Sequence, residues 1–271
     1  MYKSHSVCGS TALFAALALP TVAQDEGQSA ELFVKAVHKA QWRYVLPDEQ
    51  LPPAKIAVGT IHGTTVTVMD IDGDGKWNQI GKDMMVIGRD TAATYVSKVA
   101  SLGGKLYTLE IAEDGKSVTT SPFTGPTGTL DLKSEFRCFG TLDALVLHDE
   151  KQQSWFNLAG HKAETLPAGK YTITFGLARK DKELARIGQG KMPPIVVTNG
   201  GNHVVKWGST VTAEFDYVLD KGEVTVQPDL RFFGRGGEEY LNFQPNLKSP
   251  KFLVYDAKTK KLVASGRFGG C

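Results

Sequence analysis

Apolar and polar residues alternate with period two along most of the chain, and turn residues interrupt the alternation at short intervals. In 64-TTVTVMD-70, Val66 and Val68 share one face and threonines the other. In 105-KLYTLEIA-112, Tyr107, Leu109 and Ile111 line one face, and Asp114-Gly115 supplies a hairpin turn into 117-SVTTSPF-123. Tyr171, Ile173, Phe175 and Leu177 alternate after the turn 166-LPAGK-170. The same reading predicts strands at 142–148, 154–159, 194–198, 203–207, 213–219, 223–227, 239–244 and 251–255. Asp256 to Lys261 then turns the chain into a last strand near 261–265.

Helical patterns are few. Ser29 could cap a helix over 29-SAELFVKAVHKA-40, with Leu32, Phe33, Ala36, Val37 and Ala40 as its apolar stripe. It runs into the strand-like 42-WRYVLP-47. The segment 91-TAATYVSKVASL-102 fits a helix or a strand, and 179-RKDKELARIGQGKMPP-194 reads as a long loop or short helix. The expected fold class is mainly β, one or two antiparallel β-sandwich-like units with little helix. The Gly-Pro-Gly punctuation of 121-SPFTGPTGTL-130 divides an N-terminal β unit, 24–121, from a C-terminal unit, 128–271.

Residues 1–23 read as a cleaved signal peptide rather than as part of the fold. Lys3 precedes the apolar run 11-TALFAALALP-20, too short to span a bilayer, and small residues Thr21 and Ala23 precede Gln24. Cys8 lies before the run, so it is not a lipoprotein's acylated cysteine. The expected location is therefore outside the cytoplasm, periplasmic or extracellular, with no membrane span after processing. Two cysteines then remain, Cys138 and Cys271. They either pair, closing a long loop worth ~3–5 kcal/mol, or stay as a buried thiol and a loose terminal one.

The full 271-residue sequence has an ordinary globular profile: 41% hydrophobic, 22% charged, 29 glycines and a net charge of +2. So small a charge excludes a nucleic-acid or polybasic membrane partner.

The chemistry concentrates in 68-VMDIDGDGKWNQIGKDMMVIG-88. Asp70, Asp72 and Asp74 alternate, and Gly75 follows at once. A hard divalent cation needs several oxygen ligands, and alternating side chains at loop positions one, three and five place three carboxylates on one concave side. Glycine at position six permits the sharp reversal. Lys76 at position seven offers its backbone carbonyl, Asn78 at position nine contributes directly or through water, and Trp77 packs. The segment resembles the calcium loop of EF-hand proteins and other families with a DxDxDG loop. That resemblance implies one calcium ion held by Asp70, Asp72 and Asp74. Position twelve, where an EF-hand has a bidentate Glu, is Gly81 here, and Asp83 is the nearby replacement. The strand-like flanks are closer to the loops of FG-GAP repeats in integrin-like proteins, although there is one copy only. The competing readings are an acidic turn, for which turn chemistry asks no such spacing, and a catalytic cluster. A tight loop gives its carboxylates one shared environment, unsuited to acid–base division of labour.

Elsewhere the histidines His38, His62, His148, His161 and His203 stand at no metal-ligand spacing, and no serine-nucleophile or phosphate-loop motif occurs. The stretch 166-LPAGKYTITF-175 resembles the Pro-x-Gly-x-Tyr turn of transthyretin-like and carboxypeptidase-regulatory-like sandwich modules, and the whole chain resembles secreted bacterial proteins that join an aspartate loop to β-sandwiches. Both resemblances imply a non-catalytic spacer or binding role. Trp42, Tyr44, Trp155, Trp207 and Tyr240 either pack in cores or, if several share a concave surface, stack sugar rings. The expected function is an exported, non-catalytic calcium-binding β protein with a structural, adhesion or binding role, its partner a polysaccharide or a cell-surface protein. The alternatives are a carbohydrate-binding module and a secreted hydrolase.

Overall fold

The computed structural model describes residues 26–37, 44–47, 53–138, 140–149, 151, 153–221, 223–243 and 251–268. Residues 1–23, His38, Trp42 and Cys271 lie outside the described residues.

Twenty-four strands follow one another with no α-helix among the described residues. The first nine are β1 (Gln28–Glu31), β2 (Phe33–Ala36), β3 (Lys55–Ile61), β4 (Thr64–Met69), β5 (Met84–Ile87), β6 (Thr94–Tyr95), β7 (Val99–Leu102), β8 (Lys105–Ile111) and β9 (Ser117–Pro122). Next come β10 (Thr127–Asp131), β11 (Phe136–Arg137), β12 (Thr141–Asp149), β13 (Ser154–Asn157), β14 (Ala163–Pro167), β15 (Gly169–Lys180) and β16 (Glu183–Gly188). The last are β17 (Ile195–Val197), β18 (Asn202–Val204), β19 (Trp207–Gly208), β20 (Thr212–Asp220), β21 (Glu223–Phe233), β22 (Glu239–Leu241), β23 (Lys251–Tyr255) and β24 (Leu262–Arg267).

Two sheets build the first half, ordered β2-β3-β4-β5-β6 and β1-β9-β8-β7. Alternation decides which faces meet. Val66 and Val68 of β4 pack against Tyr107, Leu109 and Ile111 of β8 and Val118 of β9 in one shared core. The opposite face of the five-stranded sheet buries Met69, Met84 and Val86 with Leu46 and Ile56. In the second half an eight-stranded sheet runs β13-β12-β15-β16-β22-β21-β20, with β17 also on β15. Smaller sheets order as β14-β10-β18, β11-β19 and β23-β24.

β12 joins the halves. Its run Ala144-Leu145-Val146-Leu147 is fully buried because both of its faces are covered. Leu145 and Leu147 face Tyr171, Ile187 and Trp207, whereas Ala144 and Val146 face Ala92 and Trp155. Hydrogen bonds stitch this junction: Trp155 N donates to Ser97 Oγ at 2.8 Å and Val99 N to Ser154 Oγ at 3.1 Å.

Three expectations change and one ambiguity resolves. The region read as a helix from Ser29 is two strands, and β1 pairs with β9 while β2 pairs with β3. Leu32 between them packs in the core between the two sheets and Val37 against the Met69 and Met84 cluster, but Phe33 and Ala36 are exposed, so the apparent stripe does not share one buried face. The ambiguous 91–102 resolves as β6 and β7. The charged stretch 179–194 is a loop only at its end, 189–194: before that β15 and β16 form a hairpin pairing Lys180 with Glu183, its charges concentrated at the turn, where Asp181 has φ 54°. Cys138 is exposed rather than buried.

Candidate functional site

Antiparallel register assembles the site. Met69 of β4 stands opposite Met84 of β5, both fully buried, so Asp70 and Asp83 are the two feet of the loop between them. This explains how Asp83 can reach the aspartates although it falls past the twelfth loop position. Asp70, Asp72 and Asp83 each bring one carboxylate oxygen to within 4.8 Å of the others. Such a group could hold a metal ion, and its all-oxygen donor set suits a hard divalent cation.

The first half of the loop is wound around Asp70. Its two carboxylate oxygens accept from Gly73 N at 2.8 Å and Gly75 N at 2.9 Å. Gly73 and Gly75 both have positive φ, 72° and 85°, the left-handed backbone that L side chains rarely adopt. Trp77 anchors the loop to the opposing sheet: it is buried, donates its backbone N–H to Glu113 O at 3.0 Å, and packs in the core between the sheets. Lys76 pairs with Glu113 at 3.2 Å.

Asp74, Lys76 and Asn78 lie outside the convergent group. Asp74 accepts from Lys76 N at 2.9 Å, Gln79 Nε2 at 2.8 Å and Lys82 Nζ at 3.4 Å, and Asn78 is exposed. Lys82 also pairs with Asp72, so one ammonium bridges two of the loop carboxylates. The Lys82 hydrogen bond holds Asp72 below the usual carboxylate range, and the Lys76 backbone N–H does the same for Asp74. Lys82 is raised in turn, chiefly by Asp72.

Asp83 differs from its neighbours. It is fully buried, its Oδ2 accepts from Gln79 N at 2.9 Å, and its Oδ1 has no hydrogen-bond partner. Burial pushes its pKa up to about 6; N–H groups of Gln79 and Ile71 oppose the rise, and the charges of Asp70 and Asp72 add to it. A buried carboxylate with an orphaned oxygen is costly unless something positive meets it. Gln79, whose Oε1 is likewise buried without a partner, was not signalled by the sequence pattern.

Among the described residues, the aromatics named from the sequence do not form an exposed platform. Trp155, Trp207 and Tyr240 are buried and Tyr44 is half-buried. Among the described residues no helix is long and apolar enough to cross a membrane. Fold and site together define an all-β protein with an acidic, β-flanked loop that could hold a metal. No protein-family model, no curated protein and no solved structure matches the chain.

Proposed function

We propose that the chain is an exported, non-catalytic β protein in which loop 70–83 binds one calcium ion as a structural element of an adhesion or binding protein. Asp70, Asp72 and Asp83 are the carboxylate ligands of this reading; Asp74, the Lys76 carbonyl and Asn78 complete the shell directly or through water. The orphaned Oδ1 of the buried Asp83 carries it, because the loop's own hydrogen bonds give that oxygen nothing. The other carboxylates find partners within the loop, which an acidic turn alone would also achieve. Calcium, at 2.3–2.6 Å from six to eight oxygens, tolerates so irregular a shell, whereas magnesium demands a near-ideal octahedron.

A structural role follows from where the loop is tied. Its feet are the buried pair Met69 and Met84, and its middle is pinned by Trp77 to the second sheet. An ion there holds two strands and two sheets together without offering a substrate path. The test is calcium titration by calorimetry, with thermal melts in calcium and in chelator. One ion per chain and a melt shifted upward support the reading. Absence of both at millimolar calcium leaves a bare acidic turn.

A further inference from the structure

β20 and β21 leave the eight-stranded sheet as a two-stranded ribbon. β20 ends the sheet, and β22 pairs with β21 at Phe233 alone, so the rest of the ribbon has no third strand among the described residues. The nine residues of β20 reach about 30 Å at ~3.3 Å per residue. All of them except Glu214 are exposed, and Tyr217 and Leu219 stand 64% and 66% open to solvent. A two-stranded ribbon is marginally stable alone in water, and contiguous exposed apolar residues mark an interaction surface.

The ribbon's charge is as one-sided as its packing. The span 212–233 holds Glu214, Asp216, Asp220, Glu223 and Asp229 against Lys221 and Arg231, a net charge of −3. Glu214 pairs with Lys191, and Asp216 with Arg231. The register sets Asp220 directly opposite Glu223 at the tip, a like-charge pair that destabilises the ribbon. Lys221, in the turn between them, is one cation for two carboxylates.

The β23–β24 hairpin is the counterpart. The span 251–267 holds Lys251, Lys258, Lys260, Lys261 and Arg267 against Asp256, a net charge of +4. The rings of Phe252 and Phe268 lie 6.3 Å and 5.4 Å from that of Phe215, so the hairpin sits beside the ribbon's base. Alternation then turns Lys251, Leu253 and Tyr255 to the other face, and all three are exposed. Leu262, directly opposite Tyr255, is exposed as well.

We propose that two copies of the chain associate about a twofold axis, the acidic β20–β21 ribbon of each lying on the basic β23–β24 hairpin of the other, with the ribbon's tip carboxylates against the lysines of the hairpin turn.

Three observations choose a second copy as the occupant. The two elements carry exposed apolar residues with opposite net charge, so each complements the other. Both belong to one chain and meet through Phe215 and Phe252, so a single twofold rotation makes both contacts and closes the assembly at two. The four strands hold 9, 11, 5 and 6 residues, enough for the roughly 20–30 residues a side of a stable interface. The open edge of β20 adds backbone donors and acceptors, whereas β21 carries Pro228, which has no N–H to offer a new neighbour. No residue of the aspartate loop takes part, so this proposal stands apart from calcium binding.

Sedimentation velocity on the purified protein, in calcium and in chelator, reads the assembly across concentrations. A monomer–dimer equilibrium that weakens with salt is expected in both. Asp220→Lys with Glu223→Lys reverses the ribbon tip, and Lys260→Glu with Lys261→Glu reverses the hairpin turn. Each double variant alone should dimerise roughly tenfold more weakly or worse. An equimolar mixture of the two should dimerise again, because each reversed element then meets opposite charge on its partner, and that recovery shows that both variants fold. A protein that stays monomeric even at ~0.1 mM, a dimer indifferent to both double variants, or variants that do not recover on mixing overturn the proposal. So do assemblies that grow beyond two copies with concentration.

Discussion

The indole of Trp77 lies against Gly115 so closely that a Cβ built there would stand 2.5 Å from Trp77 Cγ. Gly115 also has φ 69°, in the Asp114-Gly115 turn between β8 and β9. The turn and the aspartate loop are therefore one mechanical unit, joined across the two sheets. Gly115→Ala should destabilise by roughly 2–4 kcal/mol, through overpacking added to a strained left-handed backbone. Urea unfolding would measure it, and Gly73→Ala, with open space around its Cβ position, serves as the comparison for backbone strain alone.

Lys82 is a tethered cation competing for the loop. Lys82→Met removes its pairs to Asp72 and Asp74, leaving two carboxylates to the metal. Exposed ion pairs of this kind are weak, so calcium affinity should rise by a few-fold at most. The metal-free protein should lose a comparable amount of stability. Calorimetric titration and a melt in chelator read the two effects separately.

The pH dependence follows from Asp83. Its pKa is raised in the folded chain, to about 6, so the metal-free fold binds this proton more tightly than the unfolded chain does. Its contribution to stability is present below the unfolded value near 3.8 and is lost as pH rises through 6. Calcium needs the ionised carboxylate. The calcium-induced rise in melting temperature should therefore grow from pH 5 to pH 7, which paired melts in calcium and chelator would show.

Glu238 makes a second buried carboxylate with a different fate. It is fully buried and accepts from Gly208 N at 2.7 Å, Gly236 N at 3.1 Å and Tyr240 OH at 3.2 Å. Burial raises its pKa against those donors. Glu238→Ala strands three donors and should cost roughly 3–5 kcal/mol, measured by urea unfolding; Glu238→Gln, which keeps an acceptor, should cost less.

Period-two alternation revealed most strands because one-faced burial leaves that trace, as in Tyr107, Leu109 and Ile111. It failed at residues 29–36, where the edge strands β1 and β2 leave Phe33 exposed and a chance spacing imitates a helix. It failed again from Lys180 to Glu183, because charges placed at a tight turn look like a loop. At the aspartate loop the three alternating carboxylates were legible, as local motifs are. Asp83 was legible as the replacement for the missing twelfth ligand, but its full burial and its bond from Gln79 N were not, since they come from packing and from the register of β4 and β5.

The central claim, that Asp83 is a metal ligand, is tested most directly by melting Asp83→Asn at pH 7 with calcium and with chelator. The substitution removes a buried charge while keeping an acceptor for Gln79 N. A pKa raised from 3.8 to about 6 corresponds to at most about 3 kcal/mol of charge penalty, less after solvent screening, so in chelator the variant should melt no lower than the unmutated protein. In calcium its melt should not move, while that of the unmutated protein rises. A variant that is destabilised in chelator yet still gains from calcium would contradict the account.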